Sequence, residues 1–242
     1  MFQNREEAGL HLASKLKQFQ DSSDAIVLAI PRGGVIVAKQ IADSLQIPLS
    51  VSVVKKLGAP NNCELAIGAI AGGGVKFIDW NLVSRLGIEQ EYLDEEIKRK
   101  KREVEERERK LSVARLHQLG WKHYGQVSCQ LSVKDKKIVI LVDDGVATGA
   151  TVLAAIKYIK EQITNTCPQM LRIKRCRREK HGIKIILAVP VIAKDAFDQI
   201  KSEISEIVAL EIAEVFGAVG QFYREFPQVT DEEVIDILNS KL

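Results

Sequence analysis

Residues Ile138 to Thr151 read I-V-I-L-V-D-D-G-V-A-T-G-A-T, and few folds can accommodate them. Ile138 to Val142 are apolar at every position, so a strand built from them must be covered on both faces, the pattern of a central parallel strand. Asp143 and Asp144 then emerge at its C-terminal edge, where open α/β sheets bind ligands. Gly145 to Thr151 follow as a small-residue turn that opens a helix, offering unhindered N–H groups, the hydroxyls of Thr148 and Thr151 and the positive end of a helix dipole. Such a turn suits a phosphate; two adjacent carboxylates repel one. The simplest ligand that satisfies both ends is a ribose 5-phosphate, which brings its phosphate to the turn and its vicinal hydroxyls, with or without Mg²⁺, to the acids. Carboxylates accept hydrogen bonds from neighbouring hydroxyls and are hard oxygen donors for Mg²⁺. The plainer reading, a helix-capping Asp beside a surface turn, leaves the ordered run of apolar strand, two acids and T-G-x-T unexplained.

Two other phosphate-binding patterns are absent. There is no G-x-x-x-x-G-K-[ST] and no G-x-G-x-x-G after the first strand, which excludes a P-loop and a dinucleotide-binding turn. A second anion-binding geometry is present instead. The apolar run Ala25 to Ile30 ends in Pro31-Arg32-Gly33-Gly34 before a helix that begins near Val35 and runs to about Leu45. Glycines let backbone approach a ligand closely, and a guanidinium offers a planar fork to phosphate oxygens.

The first of these segments closely resembles the phosphoribosyl-diphosphate (PRPP) binding motif of type I phosphoribosyltransferases. Lys55-Lys56-Leu57-Gly58-Ala59-Pro60, followed by Glu64-Leu65-Ala66-Ile67-Gly68-Ala69-Ile70-Ala71, is similar to a subgroup of that family, as is Ala218 to Tyr223 with Phe226, Gln228 and Asp231 to Val234. The resemblance implies that Asp143 and Asp144 contact the ribose hydroxyls and hold Mg²⁺, directly or through water. It further implies that Ala147, Thr148, Gly149, Ala150 and Thr151 hold the 5-phosphate, and that Arg32, Gly33 and Gly34 hold pyrophosphate, often through a strained peptide just before the glycines. The implied reaction is displacement of pyrophosphate from PRPP by a nitrogenous base or related amine, with Arg32, Lys55, Lys56 and Mg²⁺ neutralising the leaving group. Members acting on 6-oxopurines carry an Asp where this chain has Ala147; the pattern is closer to adenine-type members, which use a Glu from the mobile loop. Glu64 is the acid in the corresponding stretch and the candidate general base. The same fold also occurs in regulators that sense PRPP and bind nucleic acid without turnover, and hydrolysis of a related sugar phosphate is a third reading.

Length and composition agree. The 242 residues with 46% hydrophobic content suffice for one domain with its own core. No apolar run approaches the ~18 residues of a spanning helix, and the N-terminus lacks the apolar region of a signal peptide, so a cytoplasmic protein with no membrane partner is expected. Cys63, Cys129, Cys167 and Cys176 form no C-x-x-C pair and read as reduced thiols. A net charge of +3 is too small to argue for nucleic acid. The basic run Arg172 to Lys180 lacks aromatic residues for base stacking and reads as a solvated insertion at about 164–182. His11 and His117 read as surface residues, and Trp121, His123 and Tyr124 as a loop folded back on the core.

The expected architecture is therefore α/β: a type I phosphoribosyltransferase fold with a doubly wound, mainly parallel sheet between helices, covering 1–242 as one domain. Strand-helix units are expected at 25–45, 49–54, 138–162, 183–203 and 206–210, giving a core of about 22–210. Leu65 to Ala71 and Val75 to Asp79, joined by Gly72-Gly73-Gly74, read as an inserted hairpin that bears the mobile loop. A small hood over the acceptor would come from about 1–20 and 211–242. Residues 88–118 are laced with opposite charges and read as a long, mostly solvated helix. Homodimers are common in the family and a dimer is a further possibility here.

Overall fold

A computed structural model describes residues 1–118, 136–164 and 183–239, apart from the side chains of residues 64, 112–118 and 162–164. In chain order the elements are α1 (Arg5–Lys15), β1 (Ala25–Ala29), α2 (Gly33–Leu45), β2 (Leu49–Val51), β3 (Val54–Ala59), β4 (Asn62–Ala71), β5 (Lys76–Ile78), α3 (Trp80–Arg85), α4 (Gln90–Gln118), β6 (Ile138–Val142), α5 (Ala150–Thr164), β7 (Lys184–Ala193), α6 (Lys194–Ile200), β8 (Glu206–Ala213) and α7 (Asp231–Asn239). The basic stretch with Cys167, Cys176 and His181, the aromatic loop with Trp121, His123 and Tyr124, and Cys129 lie outside the described residues.

Five strands form a parallel sheet in the order β2-β1-β6-β7-β8. The expected doubly wound α/β architecture is thus the observed one. Its strands alternate between two apolar cores. Val27, Ala29, Ile140, Val142, Ile186 and Ala188 pack on the side that carries α2, while Ile26, Leu28, Val139, Leu141, Ile185 and Leu187 pack on the side of α5 and α6. Continuous apolar runs are what such two-sided burial requires. The strand order reverses between β1 and β6, and Ala29 pairs with Val142, so the turns that follow these strands leave the same sheet edge side by side.

The structure differs from the expectation in four places. First, the unit expected at 49–54 holds no helix: β2 ends at Val51, and from Val54 the chain enters β3 of a separate antiparallel sheet, β3-β4-β5. The expected hairpin is two of its three strands. Second, α2 begins at Gly33, two residues earlier than the pattern suggests. Third, the strand of the 183–203 unit, which the apolar run puts at Ile183 to Val189, runs on through Pro190 to Ala193 as β7. Pro190 lies beyond the last pair with β6, Val142↔Ala188, and so removes no ladder bond from that neighbour. Fourth, α4 is exposed over most of its described surface, as expected, but it also carries a buried stripe. Leu93, Glu96, Val104 and Leu111 are buried on one stripe of near-heptad spacing, and the Glu96 carboxylate accepts from the Gly58 N–H at 3.4 Å while the Tyr92 hydroxyl donates to the Gly58 carbonyl at 3.0 Å. Charged neighbours obscured that stripe because most of its turns expose Lys, Arg or Glu.

A docked α4 is testable. Leu93 is 1% exposed, so Leu93→Ala should destabilise the protein by about 2–5 kcal/mol. Chemical denaturation measures this; a change within about 0.5 kcal/mol, typical of a solvated position, would mean that α4 does not pack as described.

Candidate functional site

Beyond β1 and β6 a cleft of about 380 Å³ opens. From the β1 turn it takes Pro31, Arg32 and Gly33; from β3, Lys55 and Lys56; and from the β6 turn and the start of α5, Asp143 to Gly149 and Thr151. Residues read from three separate stretches of sequence thus face one space at the point where the strand order reverses, which is where open α/β sheets bind ligands. Two of the expected residues stand behind the surface: Ala150 is 5% exposed, and Gly34 is buried beneath Asp143. Glu64 belongs to β4 by its backbone, and its side chain is outside the described residues. Exposed Cys63 is its neighbour at the start of that strand. The Pro31–Arg32 peptide is cis, and Gly149 holds φ at +76°, a left-handed value that favours glycine in a turn this tight.

The acid pair is built into its surroundings with little tolerance. A Cβ on Gly33 would lie 1.8 Å from Asp144 Oδ2, and one on Gly34 would lie 2.9 Å from the Asp143 Cα. The two glycines therefore serve the acids as well as any ligand: they let the β1 turn close against the end of β6. Arg5 of α1 donates from Nε to Asp144 Oδ2 at 2.7 Å, with both side chains largely buried. Its Nη1 donates to the Pro227 carbonyl at 2.8 Å and its guanidinium carbon stands 3.7 Å from the centre of the Phe226 ring. Removing Arg5 would leave a buried carboxylate uncompensated, which typically costs about 3–5 kcal/mol. Tyr223 donates its hydroxyl to the Asp144 backbone carbonyl at 2.6 Å; burial, then the nearby Asp144 charge, push its pKa far up, so it stays a donor.

Asp143 has no comparable cation. Burial first, and then the Asp144 charge, hold its pKa well above the usual carboxylate range. Its Oδ1 accepts the Asp144 N–H at 2.9 Å. The Asp143 side chain is also in hydrogen-bond contact with that of Asp144, and both acids line the cleft. No group of three or more His, Cys, Asp or Glu side chains that could hold a metal occurs among the described residues. A cation here would have two carboxylates and would draw its other oxygens from the ligand and water, as Mg²⁺ commonly does; the donor set fits.

Sequence reading missed Arg5, Arg107 of α4 and Val219, of which the last two line the cleft. Arg5 sits in N-R-E-E, where the legible signal was helix capping, and Asn4 does cap α1 by accepting the Glu7 N–H at 2.9 Å. Val219 packs on Gly145, whose hypothetical Cβ would lie 2.4 Å from Val219 Cγ1; the second glycine-dependent contact of the β6 turn is thus with the C-terminal segment.

Two outcomes test this geometry. A carboxyl whose folded pKa is raised favours folding below the unfolded value of ~3.9 and loses that advantage as pH rises through the folded value. Asp143→Asn should therefore raise Tm at pH 7 by about 2–4 °C, and the difference should vanish below about pH 4; a lower Tm at pH 7 would contradict the assignment. Gly33→Ala should displace the Asp144 carboxylate from Arg5 and lower stability by about 1–3 kcal/mol, whereas an unchanged denaturation midpoint would show that the turn has room the structure denies it.

An acid pair, a Thr-Gly turn and an Arg-Gly-Gly turn on this sheet define a class, and the comparisons agree with it. Residues 2–164 match the phosphoribosyl transferase domain family, and the chain belongs to it. It is 33% identical over 240 residues to a Mycobacterium tuberculosis protein named "Putative phosphoribosyl transferase", found alike in strains CDC 1551 and H37Rv, with 99% of this chain covered. The chain spans 46% of the length of those curated relatives. A crystal structure of a Thermus thermophilus protein is similar at 32% identity with a TM-score of 0.71, covering 98% of this chain and 97% of that one. No helix among the described residues is long and apolar enough to cross a membrane.

Proposed function

We propose that the chain is a Mg²⁺-dependent phosphoribosyltransferase that moves the 5-phosphoribosyl group of PRPP to a nitrogenous base or related amine and releases pyrophosphate. The observation that carries this reading is the convergence of two anion-binding turns, two lysines and an acid pair on one cleft. The carboxylates of Asp143 and Asp144 are the acceptors for the two vicinal ribose hydroxyls. The N–H groups and hydroxyls at Ala147 to Thr151 receive the 5-phosphate at the N-terminus of α5. Arg32 and Gly33 receive the pyrophosphate together with Lys55 and Lys56, with Gly34 standing behind them to let the turn close on Asp143. Asp143 and Asp144 would hold the Mg²⁺, which would supply positive charge to the departing diphosphate. Such a reaction needs fixed geometry and charge more than covalent catalysis, and the Arg5, Tyr223 and glycine contacts fix Asp144 before any ligand arrives.

Glu64 is the proposed general base for the acceptor, on a β4 strand antiparallel to the lysine-bearing β3. The chain ends supply the proposed acceptor wall: Phe2 pairs with Tyr223, Tyr223 stacks on Phe226 at 5.0 Å between ring centres, and Val219 reaches the cleft.

The test is pyrophosphate release from Mg·PRPP with a panel of purines, pyrimidines and small amines, with the Asp143→Asn/Asp144→Asn double variant as the blank. Release that depends on one acceptor, and falls at least about 100-fold in the double variant, is the expected result. Release without any acceptor would point to hydrolysis. PRPP binding without release, accompanied by salt-sensitive nucleic-acid binding, would replace the transferase reading with a PRPP sensor.

A further inference from the structure

We propose that Arg107 is a ligand-binding residue of the cleft, contributing its guanidinium to the diphosphate end of the ligand, and that Asp231 is its positioning partner. This rests on the PRPP reading above. The element that carries Arg107 is fixed on the lysine side: α4 packs along β3, and Glu103, one turn before Arg107, lies 3.4 Å from Lys55 Nζ. Residues four apart share a helix face, so Arg107 continues the row that begins at Lys100 and Glu103, and it lines the cleft with Lys55 and Lys56.

Its environment is unusual for an arginine with only a structural task. The side chain is 13% exposed, and one nitrogen, Nη2, donates to Asp231 Oδ1. Its Nε is buried and meets no acceptor among the described residues. A buried donor without a partner is costly and calls for an acceptor that the protein itself does not supply. The missing partner must be an acceptor able to approach a planar fork of N–H groups beside two lysines, which describes phosphate oxygens.

Asp231 is well placed to hold the fork. It opens α7, whose first turn is closed by reciprocal bonds: Thr230 N–H donates to Glu233 Oε2 at 2.7 Å and Glu233 N–H to Thr230 Oγ1 at 3.1 Å, a capping box. Val234 anchors the helix in the core at 0% exposure. Arg107 and Lys55 are thus cations kept in register by carboxylates, Asp231 and Glu103, that stay behind when a more negative ligand enters.

The experiment is calorimetry of the full chain with Mg·PRPP, Mg·pyrophosphate and ribose 5-phosphate, in the wild type and in Arg107→Ala, Arg107→Lys and Asp231→Asn, each checked by thermal melting. Arg107→Ala should weaken PRPP and pyrophosphate by about 10- to 100-fold and leave ribose 5-phosphate within about threefold. Arg107→Lys keeps the charge but loses the fork, so it should still weaken pyrophosphate several-fold, roughly 3- to 10-fold; it carries the test if the alanine variant does not fold. Asp231→Asn should fall between the wild type and Arg107→Ala. Unchanged pyrophosphate affinity in a folded Arg107 variant, or an equal loss for ribose 5-phosphate, would overturn the proposal while the transferase reading stood. If the wild type bound neither PRPP nor pyrophosphate, that earlier reading would fall first.

Discussion

Two carboxylates on consecutive residues at the end of a buried strand repel each other and resist desolvation, and much of the chain is arranged around that conflict. Asp144 is relieved by Arg5, which must travel from α1 and is itself seated on Phe226 and the Pro227 carbonyl. Asp143 is left with its charge disfavoured. The β1 turn reaches both only because Gly33 and Gly34 carry no side chains. Elements 139 and 222 residues apart in sequence are drawn together here, so the acid pair organises the long-range contacts of the fold and not only its local turn.

An arrangement of this kind separates two tasks that a ligand site often assigns to the same atoms. The outer contacts, Arg5 on Asp144 and Tyr223 on its carbonyl, lock position, while both acids line the cleft. Preorganisation of this sort lowers the cost of ordering on binding. It also explains why the site is not optimised for stability: an unpaired buried acid is tolerated where its charge is to be used.

The central sheet was legible because β1, β6 and β7 are unbroken apolar runs, and no other element tolerates burial on both faces with such short segments. The acid pair and both turns were legible because their residue types follow directly from the chemistry of anion and hydroxyl binding. Arg5, Arg107 and Val219 were not, because each reaches the site through tertiary packing, and an Arg in N-R-E-E or in a helix of alternating charge looks like any solvated cation. The strand at Lys55 to Ala59 was obscured for a related reason: its two lysines and Gly58 weaken the strand signal, while its pairing with β4 is interrupted by register shifts at Leu57 and Gly58. Pro190 misled in the opposite direction: it lies past the last pair with β6, while the ladder with β8 continues beyond it, so the proline does not end the strand.

The three-stranded sheet has its own ladders and shares no strand pairing with the five-stranded one. Lys55 and Lys56 are thus carried on one hydrogen-bonded body, and Asp143 and Asp144 on another, joined across Ser52 and Val53 and held together by side-chain packing through α4 and α5. A change in the hairpin, whether in length, charge or sequence, can be absorbed without rewriting any backbone bond of the parallel sheet. In architectural terms the lysine side of the cleft is a separate module, carried on ladders of its own beside the acid side.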